Sequence, residues 1–273
     1  MYKLSGHTRN DTDGMDPMLL LEQEVEKMRV LVERLKRYHP LIESFGFISD
    51  EAGDYAERMM ERYANSDEGF PDEVMAELDR LGEWPGHILL LEQPEKVLSI
   101  VQKQSSKFIE KYDSPTVSAR ISTVENSGIS GELDRSVFWK GRNFGSVSFG
   151  FPMHHKNEVW FQDWHLVRDM IGIFMDLWEF SWLTVAPSIY NSALKYTGEG
   201  RPLFDHRANF GWMGYTSEIL SDTGDALAHA EPMRGGTFML LQEKIMTLHK
   251  PDIEACNKAE AFLADRGILP VLG

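Results

Sequence analysis

Histidine and aspartate side chains in the second half of the chain could together hold a metal ion or transfer protons in a hydrolase. Imidazole nitrogens and carboxylate oxygens are the ligands that three-ligand catalytic zinc sites use. No two histidines stand four residues apart, however, which is the spacing that places both on one face of a helix. A hydrolase or metal-dependent enzyme therefore stays open as the alternative function. Its candidate residues are His154, His155, Asp163 and His165, and Asp205 with His206 could supply further metal ligands.

The motifs of several other enzyme classes are missing from the sequence. The segment from Gly145 to Gly150 has one residue too many between its glycines for the nucleophile elbow of a hydrolase. Neither a dinucleotide-binding glycine fingerprint nor a phosphate-binding P-loop occurs. The single cysteine, Cys256, excludes a disulfide framework and a multi-cysteine metal site. We therefore predict a protein that is not an enzyme, with no catalytic residue, metal or cofactor.

Charge is the strongest signal in the composition. The 273 residues hold 28 Lys and Arg against 43 Asp and Glu, a formal net charge of −15. That balance disfavours direct nucleic-acid binding, which depends on neutralising phosphates. Twelve acids and three bases fall between residues 50 and 83, so this segment alone carries a net charge of −9. Such crowding predicts a surface whose electrostatic field attracts a basic protein.

The acidic segment also contains apolar side chains that could anchor a partner inside a charged rim. Tyr55, Met59 and Phe70 are these anchor candidates, and the neighbouring carboxylates would form the rim. The predicted partner-binding residues are Asp50, Glu51, Asp54, Tyr55, Glu57, Met59, Glu61, Phe70, Asp72, Glu73, Glu77 and Asp79.

Helices are predicted to carry the acidic segment. Apolar residues recur at spacings of three and four from Leu21 to Leu35, and Asp16 with Pro17 suits the N-cap and first turn of that helix. Further helices are predicted over residues 50–63 and 71–81, and from Pro94 onward. Val74, Leu78, Leu81, Val97, Val101, Phe108 and Tyr112 are expected to face the core.

Strand patterns dominate after residue 115. Alternating polar and apolar residues predict strands near residues 117–121, a hairpin over 137–151, and strands at 182–190, 210–215 and 237–242. A long apolar helix is predicted over residues 163–180 and a closing helix over 251–266. The fold is therefore expected to be α+β: a mostly helical N-terminal part packed on a mixed, mainly antiparallel sheet, with the long apolar helix and the C-terminal helix.

The predicted organisation is a flexible tail at residues 1–15 followed by one domain over residues 16–273. Within that domain, the helical acidic part covers residues 16–114 and the sheet-containing part residues 115–273. No run of 18 apolar residues occurs and no signal peptide is apparent, so neither membrane insertion nor export is expected. With a single cysteine, the sequence predicts a cytoplasmic protein.

Three segments carry a resemblance to a known family. They are Gly-Trp-Met-Gly-Tyr at 211–215, Arg-Gly-Gly-Thr-Phe-Met-Leu-Leu at 234–241 and Gly-Ile-Leu-Pro at 267–270. Their order and spacing, over about residues 115–273, resemble the immunity protein 52 family of bacterial polymorphic toxin systems, whose members include antidotes to type VI secretion effectors. The resemblance implies a non-enzymatic antidote that binds a nuclease-type toxin in the cytoplasm, with the matched tryptophan and glycines as structural positions.

The acidic segment and the family resemblance lead to the same expectation. A toxin that cuts nucleic acid must present a positive surface to phosphates, and an acidic protein can cover that surface. The predicted function is therefore a cytoplasmic inhibitor that binds a cognate basic toxin by electrostatic and steric occlusion.

Overall fold

The chain forms two compact units. The computed structural model describes residues 2–9, 15–47, 58–59, 62–63, 71–80, 88–112, 116–123, 132–138, 144–151, 154–155, 158–159, 161–188, 190 and 207–271. The helical unit is Gly14–Glu132, and the sheet unit combines Met1–Asp13 with Leu133–Gly273. The predicted single domain over residues 16–273, divided between residues 114 and 115, is therefore wrong in its boundaries.

Helices and antiparallel strands occur together, which confirms the α+β class. In chain order the elements are the strand β1 (Tyr2–Arg9), the helix α1 (Pro17–Leu35), a 3₁₀ turn (Pro40–Ser44), β2 (Phe45–Phe47), α2 (Asp72–Arg80), β3 (Ile88–Leu89), α3 (Pro94–Tyr112), β4 (Thr116–Thr123), β5 (Glu132–Phe138), β6 (Phe144–Phe151), β7 (His154–His155), β8 (Glu158–Val159), α4 (Trp164–Met175), β9 (Phe180–Pro187), β10 (Met213–Thr216), β11 (His229–Met233), β12 (Gly236–Leu240) and α5 (Lys250–Asp265).

The first helix of the helical unit begins and packs as its sequence predicts. The Asp16 Oδ1 accepts hydrogen bonds from the backbone N–H groups of Met18 and Leu19 at 2.8 and 3.1 Å, which makes it the N-cap of α1. α1 packs against α3, and both helices contact β4. All five residues of the predicted apolar face are buried: Leu21, Val25, Met28, Val32 and Leu35.

The other helices of this unit also follow the sequence pattern. Val74 of α2, and Val97 and Val101 of α3, are buried as predicted. Of the helix predicted over residues 50–63, the described residues 58–59 and 62–63 are helical. The short strand β2 pairs antiparallel with both β3 and β4. Leu81 and the side chains of Leu78, Phe108 and Tyr112 lie outside the described part of the chain.

Seven of the described strands form the main sheet of the sheet unit, in the order β11-β12-β10-β9-β1-β6-β5, and β7 pairs with β8 separately. β1 lies in the interior of this order and pairs antiparallel with β6 on one side and with β9 on the other. The β9–β10, β10–β12 and β11–β12 pairs are antiparallel as well. The first strand of the sequence therefore joins the two halves of the sheet.

The predicted flexible tail at residues 1–15 is wrong for β1. Every second residue of this strand is buried, with Leu4 and Thr8 fully so. The other inward positions are Tyr2 and Gly6, and a Cβ at Gly6 would clash with the Phe180 ring. Because Gly6 and Thr8 give no hydrophobic signal, the alternation is weak in the sequence.

The apolar helix of the sheet unit is shorter than predicted. α4 starts after Asp163, whose Oδ1 accepts a hydrogen bond from the His165 N–H at 2.9 Å, and ends at Met175 rather than at residue 180. Its buried face includes Val167, Met170 and Phe174. None of the helices within the described ranges is long and apolar enough to cross a bilayer.

Strand and helix ends in the rest of the sheet unit differ from prediction by a few residues. β9 begins at Phe180 and β10 at Met213, while β11 was not predicted at all. The closing helix α5 agrees within one residue at each end, and Gly267 after it has a positive φ of 70°, as expected for a helix C-terminus. Cys256 is fully buried in α5, as predicted for a core position.

Two buried ionic side chains connect elements of the sheet unit. Arg135 of β5, which is 1% exposed, donates to the Thr8 Oγ1 at 2.8 Å and to the Ser146 carbonyl at 3.2 Å. Asp252 of α5 accepts hydrogen bonds from the backbone N–H and hydroxyl of Thr247 at 2.7 and 2.6 Å. Burial raises the pKa of Asp252, but the hydrogen bonds from Thr247 and Gln242 and the charge of Lys244 together outweigh it, so this pKa lies below its ordinary value.

Candidate functional site

Only part of the predicted acidic surface falls within the described residues. Asp72 and Glu73 are exposed in the first turn of α2, while Met59 and Glu77 are half-buried. Asp79 belongs to α2, but its side chain lies outside the description. The other seven predicted residues also lie outside the described part: Asp50, Glu51, Asp54, Tyr55, Glu57, Glu61 and Phe70.

The exposed side of α2 combines charge with an apolar side chain. Val74 is 5% exposed and faces the core, whereas Met75 is 40% exposed beside Asp72 and Glu73. Two carboxylates in a first turn also interact favourably with the helix macrodipole, so they support the helix while they project into solvent. We call Asp72, Glu73 and Met75 the α2 surface.

Asp163 and His165 are the two candidate residues of the alternative enzyme whose side chains are described, and each makes a local structural contact. Asp163 caps α4, and the exposed His165 stacks on Trp164 with ring centroids 3.7 Å apart. Among the described residues, no group of three His, Cys, Asp or Glu side chains could hold a metal ion. His154 and His155 form β7, which pairs with β8, but their side chains lie outside the description, as do Asp205 and His206.

A cleft of about 250 Å³ lies beside the turn that joins α4 to β9, and sequence reasoning did not predict it. Its charged lining residues are Asp176, Glu179 and Arg234, and its buried lining includes Trp178 and Tyr215. The Arg234 Nη2 lies 2.6 Å from the Asp176 Oδ1, which is a short, charge-assisted contact. This ion pair links the β11–β12 turn to the C-terminal end of α4.

The β11–β12 turn holds Arg234 in an unusual backbone conformation. Arg234 and Gly235 have positive φ values of 46° and 84°, so the two-residue turn has the conformation that favours glycine or asparagine. A left-handed conformation costs an arginine about 1–2 kcal/mol. The ion pair with Asp176 offsets part of this cost, because it holds the side chain against α4.

Tyr215 lies in the cleft with its hydroxyl oriented toward the same turn. Burial, and then the negative charge of Glu179, raises the pKa of Tyr215, while Arg9 lowers it. The phenol therefore stays protonated at neutral pH and donates a long hydrogen bond of 3.5 Å to the Arg234 carbonyl. The cleft thus offers carboxylate, guanidinium and phenol groups beside aromatic rings.

The segments that resemble the immunity family lie in the sheet unit and are largely buried, although Arg234, Gly235 and Gly267 are exposed. Trp212 is fully buried and its Nε1 donates to the Gln242 carbonyl at 2.9 Å. A scan against protein-family models and a search of curated proteins each gave no match for this chain. Membership of the family therefore stays a prediction that rests on the three quoted segments.

Proposed function

We propose that this protein is a cytoplasmic immunity protein that binds and neutralises a cognate basic toxin of the nuclease class. The α2 surface is the observation that carries the proposal, because it presents two carboxylates and an apolar side chain together to solvent. The net charge of −15 supports it, since a negative field speeds association with a basic partner. The resemblance to the immunity family adds the class of partner.

Occlusion requires no chemistry from the antidote. Opposite charges orient the two proteins as they meet, and a desolvated apolar contact then slows dissociation. On the α2 surface, Asp72 and Glu73 would orient the toxin by charge, and Met75 would make the desolvated apolar contact. The toxin would lose its nucleic-acid substrate because the same positive surface cannot contact phosphates while it is covered.

Charge reversal on the α2 surface should slow toxin binding. The partner for this test is the product of the neighbouring open reading frame, which the proposal predicts to be a basic, secretion-linked protein. The Asp72→Lys/Glu73→Lys variant is expected to lower the association rate constant about tenfold at low salt, measured by surface plasmon resonance. The difference should shrink as ionic strength rises, because salt screens charges beyond about 8 Å at physiological strength.

A matched control variant distinguishes an effect of the α2 surface on association from an effect of the protein's net charge. Glu92 is exposed in the turn before α3 and Glu95 in its first turn, so Glu92→Lys/Glu95→Lys makes the same charge change beside the start of another helix. This control should slow association far less than the α2 variant. Equal rates for the two variants would reject the α2 surface, and a neighbouring frame without a basic or secretion-linked product would contradict the antidote proposal.

A further inference from the structure

We propose that the cleft beside Asp176, Glu179 and Arg234 binds an arginine side chain of the partner protein, with the Glu179 carboxylate as its acceptor. The identity of the partner rests on the proposed function, whereas the binding chemistry is argued from the cleft itself. The site lies within the sheet unit and is separate in sequence from the α2 surface.

The charges that line the cleft leave one carboxylate for a further cation. Asp176 and Arg234 already pair at 2.6 Å, so Glu179 is the lining charge that remains. Glu179 is held much less closely, because its nearest described cation is the Arg9 Nη1 at 3.8 Å. A charge-assisted hydrogen bond is about 2.7–2.9 Å long, so this pair leaves the acceptor positions of the carboxylate open. The Glu179 side chain is 73% exposed and can be reached from solvent.

The shape and lining of the cleft suit arginine better than lysine. Its volume of about 250 Å³ lies below the range of pockets that take drug-sized ligands, so it matches a single side chain. Leu177, Trp178 and Tyr215 supply apolar and aromatic lining along which a side-chain stem can lie. A planar guanidinium can pair with a carboxylate through two hydrogen bonds and stack on an aromatic ring, which an ammonium group cannot do equally well.

The test uses N-acetyl-arginine amide as the probe and the full chain, and it needs no toxin. Titration followed by two-dimensional NMR should give saturable shifts at the Glu179 and Tyr215 amides and at the Trp178 indole. Affinity should fall about tenfold in Glu179→Gln, which removes the charge but keeps the size. Glu254→Gln is the matched control, because the Glu254 side chain is 64% exposed on α5 and outside the cleft lining; its affinity should equal that of the parent.

Two further probes complete the test. N-acetyl-citrulline amide, the uncharged isostere, should bind at least about tenfold more weakly, and N-acetyl-lysine amide should bind more weakly than the arginine probe. Equal binding of citrulline, or undiminished binding of arginine to Glu179→Gln, would overturn the proposal. Because no toxin is present, these results are independent of the α2 charge reversal. A failure of the arginine-binding proposal can therefore be distinguished from a failure of the proposed antidote function.

Discussion

Replacing Gly236 with alanine should lower the free energy of unfolding of the sheet unit by about 3 kcal/mol, the upper end for overpacking a close contact. Gly236 begins β12 directly after the Arg234 turn. A Cβ there would lie 2.1 Å from the Thr216 carbonyl oxygen and 2.6 Å from the Tyr215 hydroxyl. The first neighbour is backbone of the paired strand β10, so it cannot move without separating β10 from β12.

Gly172→Ala is the matched control for this prediction. Gly172 lies within α4, and a Cβ there would meet no atom within 4 Å. Because alanine is the better helix former, this variant should gain about 0.5–1 kcal/mol. Six of the seven tryptophans belong to the sheet unit, so tryptophan fluorescence during urea unfolding reports mainly on that unit. Equal stability of the two variants would contradict the packing described for Gly236.

Trp212→Ala should destabilise the sheet unit by about 3–5 kcal/mol, because it empties a large, fully buried site. The Trp212 indole packs edge-to-face on Tyr2 of β1, with ring centroids 6.2 Å apart. It also donates to the Gln242 carbonyl, so Trp212 ties β1 to the segment after β12.

The Trp212→Phe variant distinguishes the apolar packing of the Trp212 ring from its hydrogen bond to the Gln242 carbonyl. Phenylalanine keeps most of the apolar contact but removes the donor to Gln242, and it should cost about 1–3 kcal/mol. Urea unfolding measures both variants. Since Trp212 is 0% exposed, the folded phenylalanine variant should bind the toxin as tightly as the parent. Full stability of Trp212→Ala, or a folded Trp212→Phe that no longer binds toxin, would contradict a purely structural role for this residue.

Local sequence patterns predicted the helices of both units better than their strands. The three-and-four spacing of α1 and the N-cap Asp16 need only neighbouring residues, and both predictions are confirmed. α4 was predicted too long because Leu177 and Trp178 continue its apolar pattern, with no glycine or proline to mark the end. β1 was missed because its inward positions include Gly6 and Thr8, whose burial depends on partners far along the chain.

The cleft could not be predicted from the sequence because its residues come from segments that are far apart along the chain. Asp176 and Glu179 follow α4, Tyr215 belongs to β10, and Arg234 lies in the β11–β12 turn. They converge because Tyr215 pairs with Leu183 of β9 and with Phe238 of β12, a register that composition cannot reveal. The α2 surface was easier, since two adjacent acids ahead of an inward Val74 already indicate an exposed helix start.

Titration of the toxin's nuclease activity with this protein tests the antidote account most directly. Increasing amounts of the purified chain are added to a fixed amount of the toxin, which the proposal expects the neighbouring open reading frame to encode, and cleavage of a nucleic-acid substrate is followed. Cleavage should fall linearly and stop at one chain per toxin, and higher ionic strength should slow the onset of inhibition. Cleavage that continues at full rate in the presence of excess chain would contradict the account.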